Sequence, residues 1–140
     1  MLRFTFVSML LVGWACHIPQ NTTMKAGKLD GTWIPVKQEI HGTAIPKAAF
    51  EKQQLILRDS ANTFSAESVD KGVAYFTDNK MDIYGREGVN AGKHFTAIYK
   101  LENGQLTICY NLAGNGYPDA FDTRGKQSWF LCVFEKPVQK

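Results

Sequence analysis

Side chains that commonly carry catalysis or bind metals are scattered along this chain. Its three histidines, His17, His41 and His94, show no His-x-Glu motif and no paired-ligand spacing. The sequence contains neither the Gly-x-Ser-x-Gly turn of a nucleophilic serine nor a phosphate-binding or dinucleotide-binding glycine motif. Glu67 and Asp82 stand singly in alternating segments, which is typical of a solvated outer face. We therefore predict no catalytic residues, no metal site and no cofactor, and interpret the protein as a non-enzyme.

The segment before Cys16 has the composition of a secretion signal. The first 29 residues contain no Asp or Glu, Arg3 supplies one positive charge, and residues 4–14 are apolar apart from two hydroxyl side chains. Such a run fits a signal peptide and is shorter than the roughly 20 residues that a membrane-spanning helix needs. We predict a signal peptide over residues 1–15, so that the protein leaves the cytoplasm.

The residues around Cys16 resemble the lipobox of bacterial lipoproteins, in which the signal is cut before a cysteine that is then acylated. Ala15 is the small residue expected just before that cysteine, whereas Gly13 and Trp14 depart from the usual pattern. The resemblance implies that Cys16 is lipidated and anchors the protein to a bacterial membrane of the cell envelope. The alternative is a non-lipidated secretory signal cut near Ala15. Residues 16–28 are predicted to be the lipidated cysteine and a polar tether.

Length and composition predict one globular domain beyond the tether. The chain has 140 residues, of which 44% are hydrophobic and 21% charged, so it is too apolar for a disordered chain and too short for two large cores. Its formal net charge of +3 is small and evenly spread, which excludes an obvious nucleic-acid footprint. We expect a monomer that does not bind nucleic acid, with its folded domain over residues 29–137.

Short apolar or alternating segments recur from residue 29 onward, separated by turns rich in Gly, Asn and Asp. They predict eight strands, at residues 32–40, 54–58, 63–68, 73–77, 80–84, 94–101, 105–111 and 128–134. Pro35 predicts an edge or a bulge in the first strand. Residues 45–52 carry a helix start signal and predict one short helix after that strand. The fold class is therefore all-β, an eight-stranded antiparallel up-and-down barrel.

Several segments resemble those of a small bacterial lipocalin-like domain family that is abundant in planctomycete proteins. Residues 29–33 (LDGTW) resemble the Gly-x-Trp opening of lipocalins, in which the Trp packs across the closed end of the barrel. The segments at residues 42–46, 55–57, 97–101, 106–110 and 117–121 resemble the family in order and spacing, although Tyr117 stands where the family often has Arg. The resemblance implies a lipocalin-like barrel, and it implies no activity because the family has none that is settled.

Cys109 and Cys132 fall in the last two predicted strands, which a meander makes neighbours. Residues opposite one another in an antiparallel pair have a constant number sum, so a loop centred on residues 120–121 would place these cysteines face to face. They are a possible disulfide in an oxidising compartment. The alternative is two free buried thiols, which is favoured by the different residues that alternate with each cysteine.

Aromatic residues make up 12% of the chain, and most of them would share the interior of one barrel. Such a barrel is either filled by its side chains or holds one small ligand. The many large rings favour a mostly filled core, with a narrow apolar cleft at the open end. The candidate ligand-binding residues are Trp33, Tyr99, Tyr110, Tyr117 and Arg124, the last of which could meet an anionic group from the loop at 112–127.

These patterns predict a non-enzymatic envelope lipoprotein whose lipocalin-like barrel binds a small apolar or amphipathic ligand. The alternative is a protein–protein interaction or scaffolding module, in which a filled barrel presents its loops to another envelope protein.

Overall fold

Nine antiparallel strands form a single sheet in the computed structural model, which describes residues 26–140. The strands are β1 (Gly31–Ile40), β2 (Thr43–Ala44), β3 (Gln54–Arg58), β4 (Ala61–Ser65), β5 (Val69–Thr77), β6 (Lys80–Glu87), β7 (His94–Glu102), β8 (Gln105–Asn111) and β9 (Trp129–Glu135). β1 pairs with β3, each later strand pairs with the one before it, and β9 pairs again with β1. Eight strands therefore close into a barrel, and β2 is a short addition to the end of β1.

The all-β prediction and the closed eight-stranded antiparallel barrel are confirmed. The bulge expected in the first strand is also present, because the register between β1 and β9 shifts between Pro35 and Lys37. Residues 43–44, which lie outside the eight predicted strands, form β2.

The short helix expected within residues 45–52 is not formed. The structure has a single 3-10 turn at Lys47–Ala49 in its place. Pro46, which precedes this turn, has an extended backbone and gives it no side-chain cap. The turn then ends at Phe50, only a few residues before β3 begins, so the segment is too short to nucleate an α-helix.

One end of the barrel, which we call the closed end, holds the start of β1 and the β3–β4, β5–β6 and β7–β8 hairpins. There the Trp33 indole N–H donates a 2.8 Å hydrogen bond to the Leu29 carbonyl oxygen. The Tyr99 hydroxyl donates to the Asp78 carbonyl oxygen, also at 2.8 Å. Both rings are buried, and each polar tip has a backbone partner, so this end is sealed by packed side chains.

Inward-facing side chains alternate along the strands and form one continuous core. Its buried members are Leu29, Trp33, Leu55, Leu57, Ala74, Met81, Ile83, Ala97, Tyr99, Leu106, Ile108, Cys132 and Phe134. A second cluster, here called the outer cluster, lies on the outside of the barrel and consists of Ile98, Cys109, Trp129 and Leu131.

The long loop between β8 and β9 (residues 112–128) covers the outer cluster. Phe121 packs against that cluster, and the buried Thr123 hydroxyl donates to Glu39 Oε1 on β1 at 2.7 Å. At its other side the Thr96 hydroxyl of β7 donates to the Gly116 carbonyl oxygen at 2.6 Å. The loop therefore lies along the outer wall and is held to both β1 and β7.

The register between β8 and β9 differs by one residue from the predicted one. Cys109 lies opposite Leu131, and Cys132 lies opposite Ile108. Because successive side chains point to opposite faces of a strand, one thiol faces the core and the other faces the outer cluster. The possible disulfide is therefore not formed, and both cysteines are free and buried, which is the alternative given above.

Candidate ligand-binding site

The open end of the barrel, opposite the closed end, contains a cavity of about 500 Å³. Its apolar wall is formed by six large side chains: Leu55, Phe64, Ile83, Phe95, Leu112 and Phe130. Inward-facing rings thus fill the closed end, and at the open end they surround a space. The sequence predicted a mostly filled core with a narrow apolar cleft at the open end; side chains fill the closed end, and the open end holds this cavity.

Backbone rather than side chains forms the wall of the cavity where β5 meets β6. Gly72 and Gly85 lie opposite each other there, and both line the cavity. A Cβ added to Gly72 would lie 2.3 Å from the Tyr84 carbonyl oxygen, and one added to Gly85 would lie 1.8 Å from that of Asn90. Both positions therefore require glycine, because the neighbouring backbone approaches too closely for any side chain.

The loop between β6 and β7 forms the polar rim of the cavity. Its Asn90 backbone N–H donates to Asp70 Oδ1 on β5 at 3.1 Å, and Lys93 Nζ donates to Asn90 Oδ1 at 3.4 Å. Lys71, also at the rim, lies 3.3 Å from Glu87 Oε2 in a solvent-exposed ion pair. The rim thus carries charges of both signs, each with a hydrogen-bond or ion-pair partner.

Tyr110 on β8 contributes a polar group to the cavity. Its ring stacks on Phe130, the residue opposite it on β9, with centroids 5.8 Å apart. Its hydroxyl has no hydrogen-bond partner among residues 26–140, although every fully buried polar side-chain atom of those residues has one. Burial raises the pKa of the Tyr110 hydroxyl, which therefore stays protonated and able to donate.

Asn62 on β4 is a second polar side chain of the cavity wall. Its carboxamide also lacks a hydrogen-bond partner within the part of the chain that the structure describes. Sequence reasoning missed this residue because residues 59–62 look like a turn. Its alternation with the inward-facing Phe64 is the signal that could have placed it inside the barrel.

The structure does not bring the five candidate ligand-binding residues together. Tyr110 lines the cavity, whereas Trp33 and Tyr99 seal the closed end. Tyr117 and Arg124 belong to the long loop on the outer wall. Cys16, the predicted lipidation site, lies outside the described residues.

Tyr117 and Arg124 each have a carboxylate partner outside the barrel. The Tyr117 hydroxyl donates to Asp82 Oδ2, and this hydrogen bond raises the pKa of Tyr117. Arg124 Nη2 lies 2.6 Å from Asp122 Oδ2, and its hydrogen bonds lower the pKa of Asp122 to about 2. Neither residue is available to the cavity, so their expected role at its mouth is not supported.

A polar cluster on the outer wall joins β6, β7 and the long loop. His94 Nε2 lies 2.8 Å from Asp82 Oδ1, and the His94 ring stacks on Tyr84 with centroids 4.4 Å apart. Asp82, which also accepts from Tyr117, thus lies on the outer face, as the strand pattern predicted, and it helps to hold the loop. Across residues 26–140, no group of three or more His, Cys, Asp or Glu side chains is arranged to hold a metal ion. In the same residues no helix has the length and apolar character to cross a membrane.

Comparisons with protein-family models, with curated proteins and with solved structures found no match for this chain. The likeness to lipocalin-like domains therefore rests on the motifs given above and stays a prediction.

Proposed function

We propose that this protein is a non-enzymatic lipoprotein of the bacterial cell envelope whose barrel binds one small apolar or amphipathic molecule at the open end. The observation that supports this best is the cavity of about 500 Å³ with its apolar lining. Ligand pockets are commonly 300–1,000 Å³ in volume and combine apolar walls with a few polar groups.

The polar groups of the cavity suit binding better than catalysis. The Tyr110 hydroxyl has a raised pKa and remains a neutral hydrogen-bond donor. The Asp70 carboxylate already accepts a backbone hydrogen bond and holds the rim loop in place. Such groups can orient a ligand, and neither is paired with a base or nucleophile.

A fluorescent apolar probe tests the binding proposal. N-phenyl-1-naphthylamine should bind the purified chain saturably at one site, with the rise in emission that follows transfer into an apolar pocket. Ile83→Trp replaces an aliphatic side chain of the cavity wall with a bulky indole ring and should abolish this binding. Tyr75→Trp is the matched control, because Tyr75 lies on the outer wall and is 55% exposed, and it should bind the probe as the wild type does.

Native mass spectrometry of the protein purified from its own host extends this test to the natural ligand. An adduct that is lost in Ile83→Trp would support the proposal. If no probe saturates the chain and no species co-purifies, binding is excluded. Crosslinking to an envelope protein in intact cells would then favour the scaffolding module.

Anchoring through Cys16 requires a separate experiment. Growth of the host with an alkyne-bearing palmitate should label the wild-type chain and leave Cys16→Ala unlabelled and no longer membrane-associated. An unlabelled wild-type chain recovered from the culture medium or the soluble periplasmic fraction would replace the lipoprotein proposal with secretion by an ordinary signal peptide.

A further inference from the structure

We infer that the molecule bound at the open end is a rigid, flat ring compound with a neutral oxygen group at each end, held between Asn62 and Tyr110. The inference rests on the proposed ligand-binding function and specifies the chemical class of the ligand.

Asn62 and Tyr110 lie on opposite walls of the barrel. Around the closed sheet the strands follow the order β1, β3, β4, β5, β6, β7, β8, β9. Asn62 belongs to β4 and Tyr110 to β8, which are separated by half the circumference in either direction, and both side chains line the same cavity. A ligand in that cavity therefore meets a polar group on each side.

Both groups need a hydrogen-bond partner that residues 26–140 do not supply. Because every fully buried polar side-chain atom of the described residues has a partner, these two groups reach solvent, and water is the partner that remains in the free protein. The Tyr110 hydroxyl and the Asn62 amide can both donate to an oxygen. A molecule with a carbonyl or hydroxyl oxygen at each end would replace that water with two direct hydrogen bonds.

The walls between these two groups favour a flat ring over a flexible alkyl chain. Phe64, Phe95, Tyr110 and Phe130 present four aromatic rings to the cavity. Aromatic rings pack favourably against one another in stacked or edge-to-face geometry. Gly72 and Gly85, which also line the cavity, add no side chains to this wall.

The two residues on the opposite walls argue that both ends of the ligand are neutral. Lys71 is paired with Glu87, Asp70 accepts the Asn90 backbone N–H, and Lys93 donates to Asn90 Oδ1. Neither Asn62 nor Tyr110 carries a charge that would compensate a buried carboxylate or ammonium group. Carbonyl, ether or hydroxyl oxygens therefore suit these two positions.

Two naphthalenes of nearly the same shape test the inference. Binding of 2,6-diacetylnaphthalene and of its apolar counterpart 2,6-diisopropylnaphthalene to the 140-residue chain is measured by equilibrium dialysis, with 1-dodecanol as the flexible comparison. The variants are Tyr110→Phe and Asn62→Leu, each of which removes one polar group from the cavity. Tyr117→Phe is the matched control, because it removes a phenol hydroxyl outside the barrel.

The wild-type chain should bind the diacetyl compound more tightly than the diisopropyl compound and more tightly than dodecanol. Tyr110→Phe and Asn62→Leu should each weaken diacetyl binding about three- to tenfold, the effect of losing one neutral hydrogen bond. Neither should weaken diisopropyl binding, because each replaces a polar group of the wall with an apolar one, and Tyr117→Phe should alter the binding of neither compound.

Three other outcomes overturn the inference in different ways. If the diacetyl and diisopropyl compounds bind with equal affinity to the wild type and to both cavity variants, the two proposed polar contacts are disproved, whereas apolar binding in the cavity still stands. If dodecanol binds more tightly than either naphthalene, the proposed preference of the cavity for a flat ring compound is disproved. Binding of none of the three compounds removes the inferred ligand class, and the N-phenyl-1-naphthylamine titration then decides whether the proposed function falls with it.

Discussion

Cys109 and Cys132 lie on neighbouring strands but face opposite sides of the barrel wall, because β8 and β9 pair with Cys109 opposite Leu131 and Cys132 opposite Ile108. The Cys132 thiol points into the core, where Gln38 Nε2 donates to its sulfur at 3.6 Å. The Cys109 thiol is enclosed by the outer cluster under the long loop. Each thiol therefore acts as a small buried side chain, shielded by a different part of the fold.

The first prediction concerns the reactivity of these thiols. Burial raises the pKa of Cys109 to about 11 and that of Cys132 to about 12, so very little thiolate is present at pH 8. In a Cys16→Ala chain, iodoacetamide at pH 8 should modify neither thiol of the native protein and both thiols in urea. A non-reduced mass lower by two hydrogens, with no alkylation in urea, would instead prove a disulfide.

The second prediction is a loss of stability at alkaline pH. The ordinary pKa of both thiols is 9.0, and folding raises it. Above pH 9 the unfolded chain thus binds fewer protons than the native protein, so the free energy of unfolding should fall as pH rises from 9 toward 11. The slope should reach about 1.4 kcal/mol per pH unit for each thiol.

Urea unfolding at pH 7, 9 and 10.5 measures this slope. The Cys109→Ala/Cys132→Ala double variant is the control, because it lacks both thiols and should show a shallower decline. Equal slopes for the two chains would show that burial of the thiols does not control stability in this pH range.

The third prediction concerns the seal at the closed end. Trp33→Phe removes the indole N–H, leaves the buried Leu29 carbonyl oxygen without that partner, and reduces the packed volume. It should lower the free energy of unfolding by about 2 kcal/mol. Tyr75→Phe, which changes an exposed side chain on the outer wall, should alter it by less than about 0.5 kcal/mol. A Trp33→Phe chain as stable as the wild type would show that this contact does not close the barrel.

The barrel could be predicted from the sequence because its signals are local. Alternating residues along each strand and Gly, Asn or Asp turns between them indicate eight strands without any knowledge of long-range contacts. Pro35 indicated the β1 bulge in the same way, because proline cannot take part in a regular ladder.

The register of the last strand pair and the position of the long loop could not be predicted in this way. Seventeen residues separate β8 from β9, and no short turn fixes their pairing. The observed register is shifted by one residue from the predicted one, so Cys109 and Cys132 point to opposite faces of the sheet instead of the same face. The path of the loop depends on contacts with distant residues, such as that of Thr123 with Glu39. For the same reason, Tyr117 and Arg124 were expected at the cavity and lie on the outer wall.

Nor could the cavity be placed from composition alone. The total of aromatic residues favours a filled interior, but their distribution between the two ends depends on which strand end each ring occupies. Trp33 and Tyr99 fill the closed end, whereas Phe64 and Tyr110 line the open one. Gly85 must lack a side chain because the backbone of the rim loop packs against it. This contact is tertiary, so the local sequence does not reveal it.

The fourth prediction concerns the attachment of the long loop to the outer wall. Thr123 is fully buried, and its hydroxyl takes part in two hydrogen bonds: it donates to Glu39 Oε1 at 2.7 Å and accepts from the Gly42 backbone N–H at 2.8 Å. Thr123→Val keeps the shape of the side chain but leaves both partners without that hydroxyl. The free energy of unfolding should fall by about 1–3 kcal/mol.

Thr123→Ser is the matched control, because it keeps the hydroxyl and removes a methyl group. It should cost only about 1 kcal/mol, the value of one buried CH₂ group. Urea unfolding followed by tryptophan emission reports the difference, and hydrogen exchange at the loop amides shows where it arises. Faster exchange in Thr123→Val than in Thr123→Ser, confined to residues 112–128, would locate the effect in the loop. Equal stability and equal exchange in the two variants would mean that packing of Phe121 on the outer cluster, and not the hydroxyl, holds the loop in place.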